Sequence, residues 1–202
     1  MDPVAWLRDR GYDPDGDLCK ATSQVTPSSV LGATPMWAAC SAGEITVCQW
    51  IFAHGGASTI RTRSTRPRWT PMFEACLNGN LDVAKWLFDV GAGDDTKLRD
   101  DIGCSPMLAA CEKGQLHVAE WLFTVGAQAD IRTPNDRGAT PLLRACQQGH
   151  LHVARWLFSA GAAGDARGQL PRRRRAGRVS RVLITGGAGF IGSNLVAALL
   201  ER

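Results

Sequence analysis

Four stretches of this chain read almost alike: TPMWAACSAG from Thr34, TPMFEACLNG from Thr70, SPMLAACEKG from Ser105 and TPLLRACQQG from Thr140. Their prolines, Pro35, Pro71, Pro106 and Pro141, recur at 36, 35 and 35 residues. Cys40, Cys76, Cys111 and Cys146 keep that frame, as do Gly43, Gly79, Gly114 and Gly149. Trp50, Trp86, Trp121 and Trp156 follow it, and so do Phe52, Phe88, Phe123 and Phe158. A period of this length specifies a stack of like units, each burying its apolar face on its neighbours. Such a stack offers a long surface rather than a pocket, which makes macromolecular binding the first functional expectation.

Each unit reads as two short helices. Thr140 suits a helix N-cap, because its hydroxyl accepts a free N–H of the first turn. Pro141 suits the first helical position, where its missing N–H costs nothing. The first helix is expected to run to Gln148, with Gly149 ending it in the left-handed conformation. The second helix begins at Leu151 and carries Leu151, Val153, Ala154, Trp156, Leu157 and Phe158 on a wide apolar face. Gly161 stops it, and a polar finger leads onward. VAWLRDRG from Val4 reads as a shortened second helix, with Asp2 and Pro3 at its start.

On these motifs the chain resembles the ankyrin-repeat family, best over GATPLLRACQQGHLHVARWLFSAGA at residues 138–162. Three features depart from that family's pattern. The period exceeds the usual 33 or so. Trp37, Phe73, Leu108 and Leu143 stand where a His is usual, and a Trp opens each Trp-Leu-Phe-like group. The resemblance implies an all-α solenoid of helix–turn–helix units with finger loops. It also implies that partners lie along the fingers and the first-helix groove.

The expected organisation is a partial capping unit and long loop at 1–33, then four repeats at 34–69, 70–104, 105–139 and 140–163. A basic linker spans 164–180. The last segment, 181–202, reads RVLITGGAGFIGSNLVAALLER. An apolar run at Val182–Thr185, a glycine turn and a helical stretch match the strand–loop–helix opening of a dinucleotide fold. This segment resembles the start of an NAD-dependent epimerase/dehydratase of the extended short-chain dehydrogenase type. The resemblance implies that Gly186, Gly189 and Gly192 would line NAD(P). The acidic residue expected about 20 residues further on does not follow within the sequence. The family's Tyr-x-x-x-Lys pair is also missing, Tyr12 being the only tyrosine. The chain is therefore expected to hold no cofactor and to catalyse nothing. The alternative is the N-terminal part of a fusion to such an enzyme, with the repeats as a targeting module and NAD(P) bound only by a completed fold.

Charge divides the chain. Residues 165–202 carry eight arginines against Asp165 and Glu201, a net of +6, whereas the whole chain is +4. Arg172–Arg175 read as a solvated linker or as a nuclear-import or nucleic-acid patch; no aromatics interleave there, so base stacking has no support. In the repeats the fingers alternate in sign. The first holds Arg61, Arg63, Arg66 and Arg68, the next Asp94, Asp95, Asp100 and Asp101, and the third Asp130, Arg132, Asp136 and Arg137. Of these, Arg61, Arg63, Arg66, Arg68, Asp94, Asp95, Asp100, Asp101, Arg132, Asp136 and Arg137 are the candidate partner contacts, fitting a protein of matching charge pattern.

Cys40, Cys76, Cys111 and Cys146 occupy equivalent first-helix positions and are expected to be reduced core residues, since such neighbouring helices lie too far apart for a disulfide between them. That points to the cytosol or the nucleus. His117 and His152 occupy equivalent surface positions and have no metal-site spacing. The tryptophan ladder is expected to pack between repeats, leaving Trp37 and Trp69 as the better candidates for exposed contact. No membrane span, no metal, a monomeric state and a protein partner complete the expectation.

Overall fold

The computed structural model describes residues 1–19 and 33–162. Among these residues there are nine α-helices and no strand. The first, α1 (Pro3–Asp9), is capped by the Asp2 carboxylate, which accepts from the Val4 N–H. The repeats follow as pairs: α2 (Pro35–Ala42) with α3 (Ile45–Ala53), α4 (Pro71–Asn78) with α5 (Leu81–Leu87), α6 (Pro106–Glu112) with α7 (Leu116–Thr124), and α8 (Pro141–Gln147) with α9 (Leu151–Ser159).

The local rules read from the sequence operate in every unit. The hydroxyls of Thr34, Thr70, Ser105 and Thr140 accept the third helical N–H at 3.2, 3.1, 3.3 and 3.3 Å. Proline follows each cap at the first helical position. Helix α8 ends at Gln147, one residue short of the expected Gln148, and Gly149 turns the chain at φ +77°. The turn between paired helices therefore needs a residue without a Cβ penalty.

First helices stack on first helices, α2 on α4 on α6 on α8, and each first helix packs on its own second helix. Helix α1 packs on α3. One continuous core runs through the stack. Met36, Met72 and Met107 are fully buried in it, and Val47, Val83, Val118 and Val153 form a second row. Deleting any of these methyl groups would open a cavity shared by adjoining repeats.

The fingers are extended segments after short 3-10 turns at Gly56–Arg61, Gly93–Lys97 and Gln128–Ile131. Of the expected long first loop, residues 12–19 are described, with Tyr12 and Leu18 buried. The linker with Arg172–Arg175 and the segment 181–202, including Gly186, Gly189 and Gly192, lie outside the described residues.

Candidate partner-binding surface

The fingers stand side by side, and their charges meet first of all one another. Arg61 reaches across to the next finger with Nε and Nη2 both 2.9 Å from Asp95 Oδ1, and with Nη1 3.8 Å from Asp94. Arg99 repeats the motion one unit on, its Nη2 3.4 Å from Asp130 Oδ1. Arg68 lies 3.8 Å from Asp101. In the third finger, the Arg132 guanidinium donates to the Gly161 carbonyl, with Nε at 2.7 Å. The sign alternation seen in the sequence thus serves largely as contact between fingers.

Burial decides what this contact costs. Asp95 is fully buried, and its Oδ2 has no partner. Burial pushes its carboxyl above the ordinary range, although the Arg61 charge and hydrogen bond pull the other way. Asp130 behaves alike against Arg99. A carboxylate taken out of water needs its counter-ion, so Arg61 and Arg99 tie each finger to the next. Asp95 faces its neighbour rather than solvent.

Asp100 has a different task. Its Oδ1 accepts the N–H groups of Ile102 and Cys104 at 3.0 and 2.8 Å, and its Oδ2 accepts the Trp69 indole N–H at 3.2 Å. Ser64 and Asn135 hold the equivalent positions and do the same locally. Ser64 accepts from the Trp69 N–H, and Asn135 from the N–H groups of Arg137 and Ala139. Short polar side chains close turns by such self-bonding. The row Ser64, Asp100, Asn135 was the available sequence signal, hidden because the three residue types differ.

Arg66 is exposed and Arg63 half-buried, and among the described residues neither makes an ion pair with an acidic side chain. Asp94, Asp101, Asp136 and Arg137 are exposed as well. Arg68 adopts φ +65°, where the other fingers have Gly103 at +73° and Gly138 at +76°. A residue with a Cβ held in that region is strained by about 1–2 kcal/mol.

The first helices form the other wall. There Glu74 is buried on α4, and its Oε1 accepts the Ser41 hydroxyl from α2 and the Asn78 amide, both at 2.9 Å. Its Oε2 has no partner. Burial raises its carboxyl above the ordinary range, against the pull of these hydrogen bonds and the Lys113 charge. Further along the same wall Arg144 on α8 lies 3.5 Å from Glu112 on α6. The equivalent positions Ala38, Glu74, Ala109 and Arg144 show that this row varies where the core rows do not.

Geometry of capped helix pairs, stacked in register with fingers along one edge, now meets a direct comparison. The family model described as "Ankyrin repeats (3 copies)" matches residues 4–97 and again 90–167. This chain belongs to the ankyrin-repeat family. Comparison with curated proteins finds no match. Ankyrin repeats act as protein–protein interaction modules, so the coarse function follows from the fold. The match ends short of residues 181–202, and nothing in it supports an epimerase or dehydratase segment.

The structure corrects one reading of the ankyrin surface. Trp37, expected at the surface from its place outside the ladder, is only 2% exposed, packed with Ala33 and beside Trp69. It fills the site where the usual His would bond to the loops, so a large apolar ring replaces a polar tie. Trp69 is half-buried and stacks on Phe73 with ring centres 5.3 Å apart. The ladder packs between repeats as expected: Trp86 meets Phe52 edge-on, Trp121 meets Phe88 and Trp156 meets Phe123, at 5.7, 5.9 and 5.9 Å. Each Trp of the ladder remains half-buried on the outer side.

His117 and His152 are at the surface, yet they link units. Their Nε2 atoms lie 2.9 and 3.0 Å from the carbonyls of Gly79 and Gly114 in the preceding repeat. All seven cysteines are free, and those of the repeat frame are buried. Among the described residues no group of three or more His, Cys, Asp or Glu could hold a metal. No described helix is long and apolar enough to cross a membrane.

Proposed function

We propose that this ankyrin-repeat chain is a non-catalytic scaffold, monomeric by itself, that binds a protein segment across its fingers and first-helix groove. The observation that carries this reading is the first finger. Arg68 keeps a left-handed backbone where glycine would be relaxed, and local strain of this kind is retained where a side chain is needed. Arg63 and Arg66 stand beside it without a salt bridge among the described residues, although the Arg63 charge also acts on Asp95. These three arginines fit a partner segment carrying carboxylates, with Asp94, Asp101, Asp136 and Arg137 setting register further along. Arg61 and Arg132 contribute by holding the finger row, and Asp95 and Asp100 by shaping it. Burial of the repeat thiols fits the cytosol or nucleus as the place of action.

A triple Arg63→Ser, Arg66→Ser, Arg68→Ser variant tests the assignment in a pull-down from cell extract. Bound protein should fall about tenfold or more for charge pairs of this kind, with the circular-dichroism melt unchanged. Unaltered binding would remove the basic finger from the account.

The cofactor reading extends the same proposal: the chain binds NAD(P) negligibly. Gly186, Gly189 and Gly192 would offer donors to a pyrophosphate only, and Tyr12 is buried in the N-terminal unit, away from any Tyr-x-x-x-Lys pair. Isothermal calorimetry with NAD and NADP should give no dissociation constant tighter than about 100 μM. A transcript that continues in frame into a dinucleotide-binding domain would favour the fusion reading instead.

A further inference from the structure

The first repeat differs from the others at one core position. Opposite Cys76, Cys111 and Cys146 the second helices carry Ala84, Ala119 and Ala154; opposite Cys40 stands Cys48. Only there do two thiols face each other, with Sγ atoms 3.7 Å apart, one on α2 and one on α3. Both residues are fully buried. Alanine fills this site three times over, so packing alone does not call for a sulfur atom. We infer that Cys40 and Cys48 are an oxidative modification site, a dithiol that a peroxide converts to a disulfide stapling α2 to α3.

The geometry is close to that product. Cys40 and Cys48 lie on the two helices of one hairpin rather than on successive first helices, and their sulfur atoms need to approach by under about 2 Å to reach bonding distance. The chemistry balances with one equivalent of hydrogen peroxide. One thiolate attacks a peroxide oxygen, the O–O bond breaks, and a sulfenic acid and water form. The second thiol then displaces the sulfenic oxygen, which leaves as a second water. Two electrons pass from the sulfur pair to the peroxide.

Burial sets the conditions. Cys40 is held as a thiol by desolvation and by its hydrogen bond to Cys48, so oxidant reaches the pair only when the hairpin opens. Among the described residues α1 and the segment with Tyr12, Leu18 and Cys19 cover the first repeat on the side away from α5. Such opening is local, and its frequency follows how many buried contacts a unit makes. Once formed, the bond would hold the groove wall at α2, beside the Ser41–Glu74 contact, against reopening.

The test uses the full chain under native conditions. Hydrogen peroxide is added and quenched, the chain is then unfolded with N-ethylmaleimide present to block every remaining thiol, and the digest is mapped by mass spectrometry. The expected result is a Cys40–Cys48 cystine, seen as loss of two hydrogens and of both blocking groups, while Cys76 and Cys111 stay blocked thiols. A Cys48→Ala variant, which carries the residue of the other repeats and so should keep the fold, must lose the product. The inference is overturned if Cys40 and Cys48 remain thiols under oxidant that modifies the exposed Cys19. It is equally overturned if Cys40 pairs with another cysteine, or if the product forms only in denaturant.

Discussion

An interior repeat and the fourth repeat carry nearly the same sequence and live in different surroundings. A Cβ placed on Gly114 would come within 2.6 Å of the His150 ring of the next unit. One placed on Gly149 meets nothing within 4 Å among the described residues. Phe52, Phe88 and Phe123 each meet the edge of a tryptophan from the following repeat, whereas Phe158, their equivalent, is 39% exposed. The lesson is that a repeat residue has the energetic role its neighbour assigns it. In a stack, stability divides into a unit's own contribution and an interface contribution, and only the second differs between these regions.

The largest effect is expected at the ladder. Trp121→Ala should cost about 3 kcal/mol, because the ring packs on the Phe88 ring and the core behind it. Phe158→Ala should cost less than about 1 kcal/mol, as exposed positions usually do. Urea titrations of both variants measure this; equal losses would break the comparison.

Next come the two glycines. Gly114 and Gly149 share φ +77°, so a Cβ strains both backbones alike. Gly149→Ala should cost about 1 kcal/mol. Gly114→Ala should cost about 1–2 kcal/mol more, since the imidazole of His150 must also be displaced. Equal melting shifts would mean that His150 moves aside freely.

A smaller effect is expected between fingers. Arg61→Ser strips the buried Asp95 of its counter-ion and should cost about 1–2 kcal/mol, discounted because Arg61 itself is half exposed to solvent. Arg137→Ser, in the last described finger, should lie within about 0.5 kcal/mol of the parent. A silent Arg61→Ser variant would mean that the Asp95 carboxyl does not depend on Arg61 for its charge.

The smallest effect depends on pH. Burial raises the Glu74 carboxyl in the folded state above its unfolded value. The folded state then holds the proton more tightly, so this group favours folding at low pH, and that contribution is lost as pH rises through its folded value. Glu74→Gln has no such loss. Its stability advantage over the parent should therefore grow between about pH 4 and about pH 7. A gap that is constant with pH would place the carboxylate in better contact with water than its burial indicates.

Much of the fold was legible because helix ends obey local rules. The hydroxyl caps, the following prolines and the left-handed glycines act within a few residues, so a single sequence displays them. The surface was less legible. Arg61 and Asp95 are 34 residues apart, and whether they face a partner or each other depends on how two units align. Asp100 was read as a candidate partner contact, and its bonds to Ile102, Cys104 and Trp69 arise only in the closed finger. Trp37 was placed outside because it breaks the ladder's frame, yet a ring that replaces a polar tie has to fill that space.

The sequence by itself determined the repeat frame, the capped starts of the first helices and membership in a stacked-repeat architecture. It could do so because the period repeats every short-range signal and averages out the exceptions. The tertiary structure alone decided which charges are already matched, which cysteine has a sulfur for a neighbour and which phenylalanine meets no covering ring among the described residues. Those outcomes depend on contacts between units, where angstrom-scale distance rather than residue type sets the energy.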